Sequence, residues 1–93
     1  MTSYKVVFQK KALKFVEKNK KDGLKFYQAF VDISEDKNNI FKYDVKKLKI
    51  KDTFRLRIGK YRAIFEIDDD KIIILVFDIA SRGDIYKSLE KIR

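Results

Sequence analysis

The chain alternates strictly between apolar residues and arginines over residues 54–58, which read FRLRI. A period of two is typical of a half-buried β-strand that has one apolar and one polar face. Gly59 and Lys60 then suit a two-residue hairpin turn of type II′, which places glycine first. The turn predicts the register of the two strands, in which Ile58 pairs with Tyr61, Arg57 with Arg62, Leu56 with Ala63 and Phe54 with Phe65.

The first half of the chain combines one short strand with two helical patterns. The stretch YKVVF at residues 4–8 is β-branched and aromatic, which predicts a first strand. Apolar residues then recur at helical spacing from Gln9 to about Lys20, where KKDG interrupts them. We expect Asp22 to cap a second helix and the polar sequence SEDKNN to end it. The apolar stripe expected on this second helix consists of Leu24, Tyr27, Phe30 and Val31, widened by Phe26 and Ile33.

Strand patterns dominate the second half of the chain. Residues 43–50 alternate loosely, whereas the apolar run IIILVFDI at 72–79 is typical of a central strand covered on both faces. The turn DDDK at 68–71 precedes that run, and DIYKSLEKIR favours a final helix with Asp84 as its N-cap. Its apolar side would consist of Ile85, Leu89 and Ile92. We therefore expect a single α+β domain over residues 1–93, ordered β-α-α-β-β-β-α, with a small antiparallel-rich sheet packed against an N-terminal helical hairpin and followed by a C-terminal helix.

The charge balance suggests a polyanionic partner. The 93 residues include 23 Lys and Arg against 14 Asp and Glu, a net charge of +9, which favours nucleic acid, an acidic protein or an anionic membrane. A lysine-rich surface that only confers solubility is the alternative. There is no cysteine or histidine, which removes thiolate and imidazole chemistry. Neither a signal peptide nor a membrane-spanning run is found, so we expect a cytoplasmic protein with no membrane partner.

Three arginines share the polar side of the predicted hairpin, and we call this surface the arginine face: Arg55, Arg57 and Arg62. Like charges directly opposite each other on paired strands are destabilising, so we expect an external anion to use them. Arg82 follows the neighbouring strand, and Tyr86 lies one helical turn beyond it. Together these side chains predict a phosphate-binding surface with an aromatic ring that can stack on a base.

Each of these residues also has a simpler interpretation. Arg57 could form a surface ion pair with Glu66 or Asp78, and Tyr86 could pack at the start of a helix. Lysines that precede the hairpin could be a solvated edge that blocks unwanted strand pairing. These lysines are Lys46, Lys47, Lys49 and Lys51.

The residue types limit the chemistry that this surface could perform. The aspartates at 68–70 lie in a predicted turn, where solvation explains them, so we expect neither metal catalysis nor a cofactor. Electrostatic stabilisation of a phosphorane-like transition state is left, with Tyr86 as an acid or base. RNA suits such a site because its own 2′-OH can supply the nucleophile. Arginine stays protonated and cannot be the base.

The stretch FRLRIGKYRAIFEIDDDKIIILVFDIASRGDIYKSL resembles the RelE family of toxins from prokaryotic toxin–antitoxin pairs, within the RelE/ParE superfamily. The similarity begins at YKVVFQKKALKFVEK and covers nearly the whole chain. It implies a ribosome-dependent endoribonuclease, or mRNA interferase, that inhibits translation by cleaving mRNA in the A site, in contact with 16S rRNA. Cleavage would need no metal and would leave a 2′,3′-cyclic phosphate. The resemblance also implies a neutralising antitoxin, which could displace the C-terminal helix from Ile85 onward.

The family's functional positions are all occupied in this sequence. Its basic pair before the turn falls on Arg55 and Arg57, and the arginine of its YR motif falls on Arg62. The arginine after the last strand falls on Arg82, and the C-terminal tyrosine falls on Tyr86. A further basic position falls on Lys49, and we expect Lys49 and Lys47 to bind RNA. Arginines replace the lysines of the best-studied bacterial branch, which leaves charge stabilisation rather than proton transfer at those two positions. ASR stands where many relatives have GHR, which excludes a histidine-based variant of the mechanism.

Two other functions stay open. A ParE-like toxin has a similar fold but acts by poisoning DNA gyrase, and such chains usually lack the full set of basic residues and tyrosine. The presence of Arg62, Arg82 and Tyr86 therefore favours a RelE-like activity. The third alternative is a nucleic-acid-binding module without catalysis.

Overall fold

A computed structural model describes the backbone of residues 3–92 and the side chains of residues 3–90. The elements follow the predicted order, with one added 3₁₀ helix. They are the strands β1 (Lys5–Phe8), β2 (Asp44–Lys47), β3 (Thr53–Ile58), β4 (Tyr61–Asp68) and β5 (Ile73–Ser81), the helices α1 (Lys10–Lys18), α2 (Lys20–Glu35) and α3 (Arg82–Ile92), and the 3₁₀ helix Lys37–Lys42. The α+β class predicted from the sequence is confirmed.

The five strands form one sheet in the order β1-β5-β4-β3-β2. Strands β2 to β5 are an antiparallel meander, and β1 joins the edge of the sheet parallel to β5. The register of β3 against β4 confirms the predicted pairs, including Arg57 opposite Arg62. Gly59 has a φ of 61°, and Lys60 is not among the residues with positive φ, as a type II′ turn requires.

The core lies between the apolar face of the sheet and the helical hairpin formed by α1 and α2. The sheet contributes Leu56, Ala63, Phe65, Ile67, Ile74, Val76 and Ile79. The helices contribute Ala12, Phe15, Phe26, Ala29, Phe30 and Ile33. Aromatic rings meet edge to face across this contact, with 5.0 Å between the ring centroids of Phe30 and Phe65. Since side chains alternate along a strand, the arginines of the β3–β4 hairpin lie on the opposite side of the sheet.

The break between α1 and α2 lies at Asn19, slightly earlier than predicted. The sequence KKDG forms the first turn of α2, so Asp22 lies inside the helix instead of capping it. Gly23 is buried against α1, where an added Cβ would lie 2.7 Å from the Cα of Val16. Glycine is required by this close approach of two helices, whereas the sequence alone favours its other common use, which is to end a helix.

The side of α2 that packs on the sheet also differs from the prediction. The buried aliphatic and aromatic positions follow helical spacing and are Phe26, Ala29, Phe30 and Ile33. Three members of the predicted stripe, Leu24, Tyr27 and Val31, are exposed. Because α2 is apolar on two sides, its periodicity cannot tell which side the sheet covers.

The segment between α2 and β3 is more ordered than its polar sequence suggests. Helix α2 continues to Glu35, and a 3₁₀ helix follows it directly. The carboxylate of Asp32 organises this segment by accepting hydrogen bonds from the side chains of Asn39 (3.0 Å) and Tyr43 (2.8 Å). Only four residues of the predicted strand at 43–50 form β2. After them the chain turns back, and the amide of Leu48 donates to the carbonyl of Thr53.

Strand β5 contains a β-bulge that decides which face its last residues occupy. Ile64 of β4 pairs with Asp78, but the next residue, Phe65, pairs with Val76, so Phe77 is an extra residue on β5. Val76 belongs to the core. Asp78, opposite Ile64, therefore lies on the outer face, which is the face that carries the arginines.

Helix α3 packs on this outer face beside the arginines. The hydroxyl of Ser88 donates a hydrogen bond to the carboxylate of Asp78, and both residues are buried. Ile85 of α3 and Ile64 of β4 are also buried, although neither belongs to the main core cluster. The second half of β5 is thus covered on both faces, whereas the first half is only partly covered on its outer side.

The C-terminal helix begins earlier than predicted. Arg82 is its first residue, and Asp84 lies in the first turn rather than at the N-cap. The predicted apolar side is confirmed at Ile85, which is buried, and at Leu89, which is half-buried. The side chain of Ile92 lies outside the described residues. The earlier start places Arg82 on the helix that also carries the predicted tyrosine.

Candidate nucleic-acid interface

Arg57 and Arg62 lie opposite each other across the β3–β4 hairpin, on the outer face of the sheet. Directly opposed residues in an antiparallel pair have Cβ atoms about 4.5–5.5 Å apart, so two long guanidinium side chains can reach one phosphate. Arg62 pairs on its other side with Ala80 of β5, and Arg82 begins α3 two residues later. The fold therefore gathers these three arginines where β5 ends and α3 begins.

A carboxylate that sequence reasoning missed lies on the same face. Asp44 of β2 is the register partner of Arg57. One of its oxygens accepts a hydrogen bond from Nη2 of Arg55 at 2.7 Å, and the other lies 3.9 Å from Nη1 of Arg57. The register of β2 against β3 would have revealed Asp44, but that register depends on the irregular turn at residues 48–52.

Arg55 is the most enclosed member of the arginine face. Its side chain is 18% exposed, against 52% for Arg57. Its Nε atom is buried and has no hydrogen-bond partner in the described part of the chain. Asp44 thus satisfies only part of the Arg55 guanidinium, which keeps an unused donor.

Among the residues whose side chains are described, Arg62 and Arg82 have no such counter-ion. Within residues 3–90, no carboxylate oxygen lies within 4.0 Å of the side-chain nitrogens of either arginine. Glu66 and Asp78, considered as partners of Arg57, pair with no arginine in the same part of the chain. We call Arg62 and Arg82 the open pair, and Arg55 and Arg57 with Asp44 the paired cluster.

Tyr86 and Lys49 line one groove at helix α3. Tyr86 lies one helical turn after Arg82, and half of its surface is exposed. Its ring borders a groove of about 310 Å³ between α3 and the turn after β2, and Lys49 lines the same groove together with Leu48, Leu89 and the acidic Glu90. The structure therefore brings together an aromatic ring, an ammonium group, a carboxylate and apolar walls, and the ring and the apolar walls suit a nucleobase.

Lys47 lies apart from this arrangement. It pairs with Phe54, whose side chain packs against the core, so Lys47 lies on the helical side of the sheet. Its Nζ lies 5.5 Å from the centroid of the Phe54 ring and donates to the carbonyls of Leu48 and Ile50. Lys46, opposite Arg55, is the lysine of β2 that shares the arginine face. Because side chains alternate along a strand, the register of β2 places Lys46 and Lys47 on opposite faces of the sheet.

Two further features bear on the kind of site. Over residues 3–92, no group of three or more Asp, Glu, His or Cys side chains could hold a metal ion. In the same part of the chain no helix combines the length and the apolar character needed to cross a membrane.

Comparisons with known proteins agree with this architecture. Residues 6–86 match the family model described as the ParE toxin of type II toxin–antitoxin systems, parDE. No curated protein sequence matches the chain at a significant level.

Several solved structures are similar to the chain. A chain of the archaeal RelE–RelB complex from Pyrococcus horikoshii OT3 has a TM-score of 0.74 at 26% identity, covering 89% of this chain and 98% of that one. A chain of the toxin–antitoxin complex RelBE2 from Mycobacterium tuberculosis has a TM-score of 0.66 at 25% identity, covering 86% and 99%. A double mutant of the E. coli toxin RelE in the free state has a TM-score of 0.76 over 98% of this chain and 99% of that one, and its 18% identity supports the fold alone.

Proposed function

Because this chain belongs to the ParE toxin family of type II toxin–antitoxin systems, within the RelE/ParE superfamily, we propose that it inhibits translation as a ribosome-dependent endoribonuclease of mRNA. The observation that supports this activity is the open pair, Arg62 and Arg82, which has no counter-ion within residues 3–90. Arg82 begins the helix whose Tyr86 lines a groove together with Lys49. Unneutralised arginines next to an exposed aromatic ring suit a ribose–phosphate linkage better than they suit a structural role.

In the proposed reaction the RNA supplies its own nucleophile. The 2′ oxygen forms a bond to phosphorus and the bond between phosphorus and the 5′ oxygen breaks, which leaves a 2′,3′-cyclic phosphate and a 5′-hydroxyl. Arg62, Arg82 and Arg57 stabilise the charge that develops on the phosphorane-like transition state. Tyr86 would exchange a proton with the 2′ or the 5′ oxygen through its hydroxyl group. The reaction needs neither a metal nor a cofactor.

The remaining predicted residues have less direct roles. Arg55 contributes its charge from within the paired cluster, and Lys49 binds the RNA backbone from the far wall of the groove. Lys47 is left out because its ammonium group is engaged on the other side of the sheet. Substrate and toxin would meet in the cytoplasm, on ribosomes whose 16S rRNA would also contact the protein.

We also propose that a RelB-like antitoxin neutralises the protein, as the similar toxins occur in RelE–RelB complexes. The net charge of +9 suits an acidic partner. Helix α3 rests on few buried side chains, chiefly Ile85 and Ser88, so an antitoxin segment could displace it from Ile85 onward.

The matched family description makes gyrase inhibition, the activity expected of ParE-like toxins, the second candidate function. The two candidates predict different targets for the same protein. A RelE-like toxin cuts mRNA on programmed ribosomes and leaves DNA supercoiling by gyrase unaffected. A ParE-like toxin inhibits DNA supercoiling by gyrase and leaves mRNA on programmed ribosomes uncut.

Substitution of the open pair tests the proposal. We expect Arg62→Ala and Arg82→Ala each to lower mRNA cleavage on programmed ribosomes by at least about 100-fold, because each removes a charge that stabilises the transition state. Growth inhibition in cells should fall in parallel. Lys71→Ala, which removes an exposed positive charge from the turn before β5, is the matched control and should keep both activities. Full cleavage and toxicity in both arginine variants would contradict the proposal.

A further inference from the structure

Asp44 contacts two arginines from one strand. Its carboxylate joins Nη2 of Arg55 at 2.7 Å and lies 3.9 Å from Nη1 of Arg57, while half of its own side chain is exposed. Asp44 is the carboxylate that pairs with the arginine face within residues 3–90. A planar carboxylate between two guanidinium groups occupies the kind of position that a phosphate oxygen would take.

The contact is incomplete in a way that a free oxyanion can improve. Nε and Nη2 of arginine form one edge that can bind two oxygens side by side. Asp44 uses Nη2 of Arg55 and leaves Nε buried without an acceptor. The tether to β2 fixes where the carboxylate can reach, whereas a phosphate can turn to engage both donors.

We propose that Asp44 is an internal competitor for RNA phosphate, which holds the paired cluster closed until a backbone phosphate displaces it. Phosphate binds first to the open pair, Arg62 and Arg82, and then replaces Asp44 on Arg55 and Arg57. Asp44 thereby tunes the affinity of the whole surface for RNA. This inference rests on the proposed RNA-directed function, since it concerns the same face.

Asp44→Asn is the direct test, because asparagine keeps the shape of the side chain and removes its charge. We expect a short single-stranded RNA with 2′-O-methyl riboses, which cannot be cleaved, to bind this variant about 3–10-fold more tightly at low salt. The slope of log affinity against log salt should steepen by about 0.7 for each additional phosphate that the variant neutralises. Asp70→Asn makes the same charge change in an exposed turn and is the matched control, and Asp44→Glu should bind like the unchanged protein.

The control separates competition from a general effect of net charge. Equal tightening in Asp44→Asn and Asp70→Asn would overturn the proposal, as would weaker binding by Asp44→Asn. Thermal unfolding of each variant establishes that it is folded at the temperature of the assay.

The unchanged protein offers a second test that needs no variant. Inorganic phosphate is titrated while NMR follows the Nε–H signals of the arginines. We expect the signals of Arg62 and Arg82 to shift at lower phosphate concentration than the signal of Arg55. A shift of Arg55 at the same or lower concentration would overturn the proposed order. If the unchanged protein does not cleave mRNA on ribosomes, only the proposed function is contradicted, because this titration measures anion binding alone.

Discussion

The two faces of the sheet differ in burial and in charge. The inner face is covered by α1 and α2, and its core side chains are aliphatic or aromatic and almost fully buried. The outer face places Arg57 opposite Arg62, and α3 covers only the part beside them. Burial of apolar surface stabilises the inner face, at about 25 cal/mol for each Å² removed from water. Like charges destabilise the outer face, which suggests that it is kept for binding and not for stability.

This difference predicts that substitutions on the two faces have separable effects. Changes to the inner face should act through the fraction of folded protein, so that stability and activity fall together. Changes to Arg57 or Arg62 should lower activity while stability stays the same or rises, whereas a change to Arg55 also removes its ion pair with Asp44. We expect the largest effect from loss of an inner-face ring, a smaller one from loss of an arginine, and the smallest from loss of a carboxylate in the turn before β5.

Phe30→Ala should have the largest effect on stability. The Phe30 ring is fully buried and contacts the rings of Phe65 and Phe8 edge to face. Removal of a buried phenylalanine side chain leaves a cavity and costs about 3–5 kcal/mol, a large part of the stability of a domain of this size. Urea unfolding followed by circular dichroism measures this loss.

Leu24→Ala is the control for Phe30→Ala on the same helix. Leu24 is exposed, so we expect the free energy of unfolding of the Leu24→Ala variant to differ from that of the unchanged protein by less than about 0.5 kcal/mol. Comparable losses in the two variants would mean that the sheet packs against the other side of α2.

Arg57→Gln should raise stability slightly and lower RNA binding. The change removes one of two like charges that face each other, and such cross-strand pairs are worth about 0.2–1 kcal/mol. Arg62→Gln removes the same repulsion from the other strand. The stability increase in the double variant should therefore be smaller than the sum of the two single increases.

Thermal unfolding of the single and double variants checks this non-additivity, and the salt dependence of RNA binding checks the cost to function. Each variant should lower the slope of log affinity against log salt by about 0.7. A loss of stability in both single variants would show that the arginines are structural.

Asp69→Asn should have the smallest effect, a slight loss of stability near neutral pH that disappears at acid pH, at a turn far from the arginine face. Hydrogen bonds from Tyr4 and then Lys37 hold the pKa of the Asp69 carboxyl below its usual value. A lowered pKa in the folded state adds stability that is complete above the unfolded pKa of about 3.9 and is lost as pH falls through the folded pKa. Stability measured from pH 5 down to pH 2 should therefore fall less steeply in Asp69→Asn.

Asp70→Asn, in the same exposed turn, is the control for this pH effect. Asp70 has no hydrogen-bond or ion-pair partner within residues 3–90. Its variant should keep the acid dependence of the unchanged protein. If stability falls as steeply with pH in Asp69→Asn as in the unchanged protein, the contact with Tyr4 is too weak in solution to affect stability.

Some features of this protein follow from local sequence. The alternation at 54–58 and a glycine with positive φ at residue 59 fixed both strands of the hairpin and their register, because a two-residue turn leaves no freedom in pairing. The same local rule placed Arg55, Arg57 and Arg62 on one face. Arg82 and Tyr86 also fell close to their predicted positions, since each lies within a few residues of a well-defined strand end.

Other features were decided only by contacts between distant parts of the chain. The covered side of α2 depends on the sheet, and the use of Gly23 depends on Val16 of α1. The bulge at Phe77, which turns Asp78 towards α3, has no signature in a continuous apolar run. Asp44 reaches the arginines only because β2 takes one register against β3. The turn between these strands has no sequence pattern from which that register could be predicted. The local pattern thus determined which side chains are charged and on which strand they lie, and long-range packing determined which of those charges are neutralised.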